Sequence, residues 1–434
     1  MKPRHLRVLV VGGGGREHAL AWKLASSKRV EEVYCAPGNA GTDTFCVNLP
    51  VAVAEFQRLV AIASGLGIDL VVIGPSAALI HGLTDRFLEA GIPVFGPSAA
   101  AAVIEGSKAF SKAFMRRHGI PTAAYAVFED PAEARAYARA NWGAEGLVVK
   151  TDELADVQSV VVADTLEAAL EAVDQTMLEG RYGPAGRRVI VEERLTGAEA
   201  SILAFVDGLH YRLLPPAQDH KALYDGNRGP NTEGMGAFSP AGVVTPELCE
   251  RIRRDIMDPT VRGMALEGIG YPGVLFVGVM LTASGPKVLE YNCRFGDPEA
   301  QVTLPPLQSD LVDVIEACLC CKLDRLSLRF EEAYYLCVVG ASVGYPEMNE
   351  TGHGIVGWES ACNERQTMLF HAHTRWEGDR LVTAGGRVLN AVASAPTLDE
   401  ARRLAYQAMD AISFGCGGPV VRRDVGTQAI GLKA

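Results

Sequence analysis

The sequence predicts an α/β protein whose N-terminal part is a doubly wound parallel sheet. The almost entirely apolar run Leu6 to Val11 is typical of a buried parallel strand. Four consecutive glycines and then a helical pattern follow it. Strand and helix patterns alternate up to about residue 97, and repeated strand–helix units form parallel sheets. The chain has 434 residues, enough for roughly three domains, so this sheet is one of several units.

The other elements of the first unit end in glycine or proline turns. They are strands at Glu32–Ala36, Leu70–Ile73 and Val94–Phe95, with helices at Val51–Ser64 and Ile80–Ala90. Ligands of such sheets bind at the carboxyl ends of the strands, so the loops carrying Gly12 to Gly15, Asn39 and Gly74 are expected to meet at one crevice. A glycine turn before a helix suits an anion. The pattern fits a dinucleotide and a sugar phosphate equally well.

The next stretch changes character after Gly119. Its predicted elements are helices within Ala99–His118, a strand at Leu147–Lys150 with a hairpin partner at Val160–Ala163, a helix at Thr165–Leu178 and a strand at Arg188–Glu193. Lys150 and Glu193 could bracket a nucleotide, with the lysine on phosphate and the backbone amides of Glu193 to Leu195 on the base edge. A surface hairpin with unremarkable charges explains the same pattern equally well.

The second half combines hairpins, helices and one long loop. Its predicted elements are a hairpin of Ser201–Phe205 with Tyr211–Leu214, helices within Pro246–Glu267, a strand at Gly273–Leu281, a helix at Asp310–Lys322, a hairpin of Met368–Thr374 with Arg380–Leu389, and a helix at Leu398–Ile412. Gln218 to Pro240 is long and rich in glycine and polar residues. Loops of this length without periodicity are usually functional or disordered, and its aromatic residues favour order.

The stretch Val288 to Gln301 carries the strongest chemical signal. It begins as a strand, and side chains two apart on a strand share a face, which places Glu290 beside Asn292. A carboxylate beside an amide oxygen is a hard, oxygen-only site that suits Mg²⁺. Arg294 follows on the same face and could hold a phosphate by a two-pronged contact. The alternative is a solvated strand end with unrelated charges.

Composition excludes several classes of protein. A net charge of −11 argues against a basic face that binds nucleic acid. No run of about 18 apolar residues is present, so no membrane span is expected.

The ten cysteines are scattered, which predicts free thiols in a reducing cytoplasm. The cluster Cys318, Cys320 and Cys321 matches no common zinc spacing and is expected to lie on a helix. A nicotinamide dehydrogenase lacks support, because the second strand does not end in an acidic residue in the expected context.

Six motifs distributed along nearly the whole chain carry a family resemblance: VLVVGGGGREHALAW, APGNAGT, EGSKAFSKAFMRRHGIPTA, QDHK with DGNRGPNTEGMGAFSP, LEYNCRFGDPEAQ, and GGRVL. In these the chain resembles the glycinamide ribonucleotide synthetase family, or phosphoribosylamine–glycine ligases, ATP-grasp enzymes of purine synthesis. The resemblance implies a doubly wound domain (residues 1–106), an ATP-grasp pair of subdomains (107–332, with a mobile lid at about 123–194) and a small C-terminal α+β domain (333–434). It also implies phosphorylation of glycine by ATP, followed by displacement of the phosphate by the amine of phosphoribosylamine.

The resemblance also assigns residues. It implies metal ligands at Glu290 and Asn292, phosphate-side lysines at Lys108 and Lys150, adenine and ribose contacts at Glu193, Leu195 and Glu199, catalytic residues at Arg294, Lys221 and Asp219, and substrate contacts at Gly13, Gly14, Asn39, Asn231, Thr232, Asp297 and Glu299. The implied cofactors are ATP and Mg²⁺ or Mn²⁺. The implied partners are the small molecules glycine and phosphoribosylamine, with neither nucleic acid nor membrane, in a cytoplasmic monomer or weak homodimer.

The chain departs from the family pattern at the phosphate-covering loop. After the Lys150 strand the family has a loop like DGLAAGKG, whereas residues 152–159 here are DELADVQS. Valine takes a positive φ only at a cost, and the added carboxylates repel a triphosphate. Four further departures are Ser76 for a glutamate, Glu233 for a glycine, Pro306 for an arginine and Ala384 for an asparagine.

These departures leave three hypotheses. The first is the family reaction with an altered ATP lid. The second is a divergent paralogue that ligates another carboxylic acid and amine. The third is a catalytically weak relative that binds a nucleotide or a partner. Fold-level likeness by itself does not separate them, because function depends on the site.

Overall fold

The computed structural model describes residues 5–154, 159–362 and 366–430. The N-terminal unit consists of β1 (Leu6–Gly12), α1 (Gly15–Ala25), β2 (Val30–Pro37), a 3₁₀ turn (Thr42–Thr44), β3 (Val47–Asn48), α2 (Phe56–Leu66), β4 (Leu70–Ile73), α3 (Ser76–Ile80), α4 (Leu83–Glu89), β5 (Val94–Phe95) and α5 (Ala99–Gly106). Its strands form the predicted parallel sheet in the order β3-β2-β1-β4-β5. β1 is central, so the loops after β1 and β4 lie at the point where the strand order reverses.

A small antiparallel sheet follows. Its elements are α6 (Lys108–Arg117), β6 (Tyr125–Phe128), α7 (Pro131–Asn141), β7 (Leu147–Thr151), β8 (Val160–Ala163), α8 (Leu166–Met177), a 3₁₀ turn (Gly183–Arg187) and β9 (Val189–Glu193). The sheet order is β6-β9-β7-β8, and β7 pairs antiparallel with both β8 and β9. A separate apolar core, including Ala138, Val149 and Val173, joins this sheet to α7 and α8. The sheet with α7 and α8, but not α6, lies within residues 123–194, for which a mobile lid stays a prediction.

The central unit is a second antiparallel sheet. Its elements are β10 (Ala198–Asp207), β11 (Tyr211–Leu213), β12 (Gln218–Asp219), β13 (Ala222–Tyr224), β14 (Arg228–Asn231), β15 (Gly236–Ser239), α9 (Pro246–Ile252), a π-helical turn (Arg253–Met257), α10 (Asp258–Leu266), β16 (Pro272–Thr282), β17 (Gly285–Asn292), α11 (Ala300–Thr303), α12 (Leu311–Leu319) and a 3₁₀ turn (Leu323–Arg325). The sheet order is β11-β10-β16-β17, with β17 at one edge. The strand that carries Glu290 therefore has only one neighbouring strand in this sheet.

The C-terminal unit contains β18 (Tyr334–Ala341), β19 (Ile355–Val356), α13 (Trp358–Ala361), β20 (Thr367–His371), β21 (Thr374–Glu377), β22 (Arg380–Thr383), β23 (Arg387–Ala395), α14 (Leu398–Asp410), β24 (Ser413–Phe414) and α15 (Thr427–Ile430). Its sheet has the order β12-β15-β18-β23-β20. The predicted hairpin of residues 368–374 with 380–389 is wrong in its pairing. β20 pairs with β23, and β21 forms its own hairpin with β22.

The segment Gln218–Pro240 is not an irregular loop, as its composition suggested, but contains β12 to β15. β13 and β14 form a short hairpin, while β12 and β15 are hydrogen-bonded into the C-terminal sheet. The central and C-terminal units are therefore joined through this segment as well as along the chain. Among the described residues, no helix is long and apolar enough to cross a membrane.

Candidate active site

A cleft of about 460 Å³, including space open to solvent, lies between β17, α6 and the lid sheet. Its lining is rich in charged side chains, three lysines and two glutamates among them: Glu105, Lys108, Lys112, Lys150 and Glu290, with Asn292 beside them. Charge of both signs converging in one cleft is typical of a site for phosphates and cations rather than for an apolar ligand.

The end of β17 presents Glu290 and Asn292 to this cleft, as strand alternation predicts. Tyr291 between them points the other way; its hydroxyl is hydrogen-bonded to Thr260 at 2.7 Å, and only 3% of the residue is exposed. Gly278 lies opposite Glu290 on β16, where a Cβ atom would stand 3.3 Å from the Glu290 Cγ. The partner strand thus leaves room for the carboxylate.

Lys221 binds two carboxylates at the cleft. Its Nζ lies 3.3 Å from Glu199 Oε2 and 3.5 Å from Glu290 Oε1. The charge of Glu199, with those of Glu290 and Asp219, raises the pKa of Lys221 well above its ordinary value against the effect of burial. In turn Lys221, opposed by burial and assisted by Lys150 and Lys108, lowers the pKa of Glu290 to about 2. Glu290 is therefore ionised at neutral pH.

The two predicted phosphate-side lysines lie on different elements. Lys108 begins α6, and burial lowers its pKa although the charge of Glu290 opposes that change. Lys150 on β7 forms an ion pair with Glu192, at 2.5 Å. Lys112 binds the other oxygen of Glu192 at 2.5 Å. The lid lysine is thus held in place by a buried carboxylate.

Arg294 is fixed by three neighbours. Its Nε donates to Ser76 Oγ at 2.9 Å and its Nη2 donates to Asn292 Oδ1 at 2.9 Å. The same Nη2 lies 3.1 Å from Glu105 Oε1, and the Ser76 hydroxyl donates to that oxygen at 2.6 Å. Glu105, which sequence analysis did not single out, also accepts from the Cys293 N–H at 2.8 Å. It orients the whole end of the strand.

Asp219 and Glu299 form an acidic pair behind Lys221. Glu299 is buried and accepts from the Ser201 hydroxyl at 3.0 Å. Burial and then the charge of Glu299 raise the pKa of Asp219 well above its ordinary value. Burial also raises the pKa of Glu299. Asp219 is thereby suited to accept and release a proton.

The Asn39 side chain makes four hydrogen bonds within the protein. Its amide nitrogen donates to Gly13 O at 3.0 Å and His371 O at 2.9 Å, and its oxygen accepts from the N–H groups of Gly41 and Thr42. An asparagine side chain has two N–H donors and two acceptor positions, and all four are used here. The side chain therefore shapes its own loop, and a substrate contact at Asn39 stays a prediction.

One backbone N–H group of the glycine turn after β1 is hydrogen-bonded to a side chain of the protein itself. The Gly14 N–H donates to Glu17 Oε2 at 2.7 Å, and a substrate contact at Gly14 stays a prediction. A Cβ atom on Gly13 would lie 2.4 Å from the Gly38 carbonyl oxygen, so Gly13 allows two loops to meet. A substrate contact at Gly13 stays a prediction.

Two of the three backbone N–H groups predicted to contact the nucleotide base, those of Glu193 and Arg194, are hydrogen-bonded within the protein. The Glu193 N–H donates to Ala124 O at 2.9 Å and the Arg194 N–H to Gly146 O at 3.4 Å, which corrects the proposed use of all three amides on a base. The Glu193 carboxylate accepts from Lys287 at 2.8 Å. Leu195, half-buried beyond β9, remains the candidate for base contact.

Asn231 and Thr232 lie at the end of β14. Asn231 is half-buried and pairs through its backbone with Ala222. The Thr232 hydroxyl donates to Lys221 O at 2.8 Å and accepts from the Gly234 N–H at 3.0 Å. Thr232 therefore supports the backbone of Lys221, and substrate contacts at Asn231 and Thr232 stay predictions.

Arg387 of the GGRVL motif is a site residue that sequence analysis did not assign. Its Nη1 donates to Asp297 O at 2.6 Å, and its Nη2 lies 3.3 Å from Asp297 Oδ2 and donates to Glu233 Oε2 at 3.1 Å. Burial alone would raise the pKa of Asp297, but the charges of Arg387 and Arg16 outweigh burial and hold it below its ordinary value. The unusual Glu233 thus has a defined partner.

The altered lid loop is described only at its base. Residues 155–158, which include the predicted departures Asp156, Val157 and Gln158, lie outside the described residues. The Thr151 hydroxyl donates to Ser159 Oγ at 2.7 Å, and the Thr151 N–H donates to Ser159 O at 3.2 Å. Ser159, where the family has glycine, therefore ties the two ends of this loop together.

Comparison with known proteins assigns the family. Models of three phosphoribosylglycinamide synthetase domains match the chain: the N domain at residues 6–105, the ATP-grasp (A) domain at 106–300 and the C domain at 335–428. The chain belongs to this family. As an ATP-grasp protein it is an enzyme that uses ATP with a divalent cation.

Relatives of the phosphoribosylglycinamide synthetase family match over their whole length. The phosphoribosylamine–glycine ligase of Allochromatium vinosum is 50% identical over 428 residues, which is 98% of this chain and 99% of that protein. The Vibrio cholerae ligase is 46% identical with the same coverage. The crystal structure of the Thermotoga maritima ligase has a TM-score of 0.84 at 33% identity, covering 97% of this chain and 100% of that chain.

The fold is also shared more widely. The biotin carboxylase domain of Hydrogenobacter thermophilus 2-oxoglutarate carboxylase, solved with MgADP, has a TM-score of 0.72 at 16% identity, covering 96% of this chain and 92% of that chain. At that identity the likeness concerns the fold alone.

The oxygen pair on β17 fits a divalent cation. Glu290 is ionised, and the Asn292 amide oxygen keeps one acceptor position besides its bond to Arg294. Carboxylate and amide oxygens with room for phosphate oxygens and water suit Mg²⁺.

Proposed function

We propose that this protein ligates glycine to 5-phosphoribosylamine with ATP, giving glycinamide ribonucleotide, ADP and phosphate through a glycyl phosphate, in de novo purine synthesis. The observation that carries the proposal is the ionised Glu290, which is paired with Lys221 and shares one cleft with Lys150 and Lys108. This is the charge arrangement that transfer of a phosphoryl group to a carboxylate requires. The 50% identity to a phosphoribosylamine–glycine ligase over the whole chain favours this reaction over a divergent substrate or a silent relative.

In the first step, an oxygen of the glycine carboxylate attacks the γ-phosphorus of ATP and ADP leaves. Lys108 on α6 and the lid residue Lys150 on β7 both line the cleft and are placed to neutralise phosphate oxygens. Glu290 and Asn292 would hold the divalent cation, which supplies charge neutralisation at the triphosphate. Leu195 and Glu199 are proposed at the adenine and ribose.

In the second step, the amine of phosphoribosylamine attacks the carbonyl carbon of glycyl phosphate, phosphate leaves, and the nitrogen loses a proton. Asp219 is the candidate acceptor, because its raised pKa makes its carboxylate a stronger base than an ordinary aspartate. Lys221 and Arg294 are placed to bind the anionic groups that develop on phosphate and carbonyl oxygen. A site closed to water protects the mixed anhydride from hydrolysis.

Three further details belong to the same proposal. Mg²⁺ or Mn²⁺ serves as the divalent cation, because both accept hard oxygen ligands. The protein acts as a monomer or weak homodimer, in the cytoplasm. The predicted division at residues 106 and 332 describes its working units, with residues 123–194 as the lid over ATP.

The test is an assay of ADP release with phosphoribosylamine generated in situ from ribose 5-phosphate and ammonia. We expect ADP release only when glycine and the amine are both present, with glycinamide ribonucleotide identified by mass spectrometry. ADP release with a different carboxylic acid but not with glycine would contradict the proposal, and so would failure to bind ATP in calorimetry.

A further inference from the structure

The segment Arg422–Gly426, between β24 and α15, packs against the hairpin that carries Lys221. Arg422 is 1% exposed and is among the largest fully buried side chains in the described residues. A buried arginine is costly unless its donors are paired. Its partners therefore show what the segment holds in place.

Arg422 binds the hairpin at two points. Its Nη1 donates to the Ala222 carbonyl oxygen at 3.1 Å, and its Nη2 donates to Asn227 Oδ1 at 2.6 Å. Its Nε donates to Asp424 Oδ1 at 2.5 Å, which fixes the plane of the guanidinium group. Asn227 has a left-handed backbone, at φ 55°, so the arginine holds the tip of the hairpin in a conformation that few residues adopt.

Three more contacts join the same two segments. The Gly226 N–H donates to Asp424 Oδ2 at 2.7 Å, and the Arg423 N–H donates to Asp225 Oδ1 at 2.7 Å. The Gly426 N–H donates to His220 Nε2 at 3.2 Å. Burial, with the nearby charge of Arg422, lowers the pKa of His220 to about 4, so this imidazole is neutral and can accept.

These contacts bracket the site residues. Lys221 lies between two residues that the segment Arg422–Gly426 holds: His220, which accepts from Gly426, and Ala222, which accepts from Arg422. Asp219 directly precedes His220. Both site residues are therefore fixed from the C-terminal unit, about 200 residues away along the chain. A displacement of about 1 Å at such positions costs on the order of 10²-fold in rate.

We propose that Arg422–Gly426 is a clamp through which the C-terminal unit sets the position of Asp219 and Lys221, with Arg422 as its positioning residue. The inference rests on the proposed function, because it takes these two side chains to act in the ligation. The clamp adds no group to the chemistry and touches no reacting atom.

The experiment compares Arg422→Ala with Arg423→Ala in the full chain. Arg423 is the matched control: its side chain is 53% exposed and binds Asp410, while only its backbone N–H reaches the hairpin. We expect kcat for ligation to fall on the order of 10²-fold in R422A, with the KM for ATP within about twofold of wild type. R423A should match wild type in both. Hydrogen exchange of residues 219–231 should be faster in R422A alone.

Asn227→Gly is the second variant, for the case that R422A does not fold. Glycine keeps the positive φ and removes only the side-chain acceptor. We expect a roughly tenfold loss of kcat, as for one lost charged hydrogen bond, and faster exchange of the hairpin. Unchanged exchange, or faster exchange with unchanged kcat, overturns the clamp. If wild type itself does not ligate, the proposed function fails and hydrogen exchange alone decides the clamp.

Discussion

Replacing Glu192 by glutamine tests how the lid lysine is held. Glu192 is 2% exposed, and each of its carboxylate oxygens lies 2.5 Å from a lysine nitrogen, those of Lys112 and Lys150. Burial alone would raise the pKa of Glu192, but the charges of Lys150 and Lys112 outweigh burial and hold it below 4.5. The glutamine has the same shape without the charge, so both ammonium groups lose their shared counter-ion.

The cost follows from burial. Breaking a buried ion pair by neutralising one partner costs about 3–5 kcal/mol. Each kcal/mol lowers Tm by about 2–4 °C in a domain of about 150–250 residues, the size class of the predicted ATP-grasp region (residues 107–332). The Tm of E192Q should therefore lie roughly 6–20 °C below that of wild type. A carboxylate with a lowered pKa contributes stability above its unfolded pKa and loses it as the pH falls through the folded pKa. The difference between wild type and E192Q should therefore narrow below about pH 4.5.

The assay is thermal unfolding with and without ATP and Mg²⁺. ATP phosphates offer both lysines a replacement counter-ion, so ATP should raise the Tm of E192Q more than that of wild type. Glu193→Gln is the control, because its carboxylate is 44% exposed and its pair with Lys287 is worth at most about 1 kcal/mol. If the Tm of E192Q equals that of E193Q, or if ATP raises the Tm of E192Q no more than that of wild type, Lys150 is not held in the way described.

Three other changes address the site. Glu290→Gln should lower ADP release on the order of 10²-fold, since it removes a charged cation ligand; a turnover equal to wild type at saturating Mg²⁺ would refute that role. Asp219→Asn should remove the acid limb of the kcat profile, which in wild type lies above pH 3.8 because the Asp219 pKa is raised; an unchanged limb in a pH titration excludes Asp219 as the base. Asn39→Ala should lower the free energy of unfolding, measured in urea, by about 2–4 kcal/mol. Asn141→Ala removes one solvent-exposed hydrogen bond, to Tyr137 O, and should lower it little.

The N-terminal sheet was predictable because its signal is local. A strand buried on both faces is a continuous apolar run, and Leu70–Ile73 and Val94–Phe95 match the predicted strands residue for residue. The strands of the Gln218–Pro240 segment are two to four residues long, and β15 finds its partner in β18, almost a hundred residues later. Such short strands carry no periodicity of their own.

The residues of the candidate site also fall into two groups, those that local sequence predicts and those whose role depends on distant partners. The shared face of Glu290 and Asn292 follows from strand alternation and needs no tertiary information. The roles of Asn39, Glu105 and Arg387 depend on partners far away in the chain: the Asn39 amide reaches His371 O, 332 residues later. Sequence patterns identify residues suited to chemistry, but whether their hydrogen-bonding groups remain free for a ligand depends on packing.

Ser76 shows what one departure from the family pattern does. The family resemblance implies a glutamate at this position, which would place a second carboxylate beside the Arg294 guanidinium next to Glu105. The serine hydroxyl instead donates to Glu105 and accepts from Arg294, so it keeps the guanidinium oriented and adds no negative charge. A carboxylate at residue 76 would offset more of the positive potential around the Arg294 guanidinium than the neutral serine hydroxyl does. The departure at residue 76 therefore leaves the Arg294 guanidinium oriented by Ser76 and Glu105.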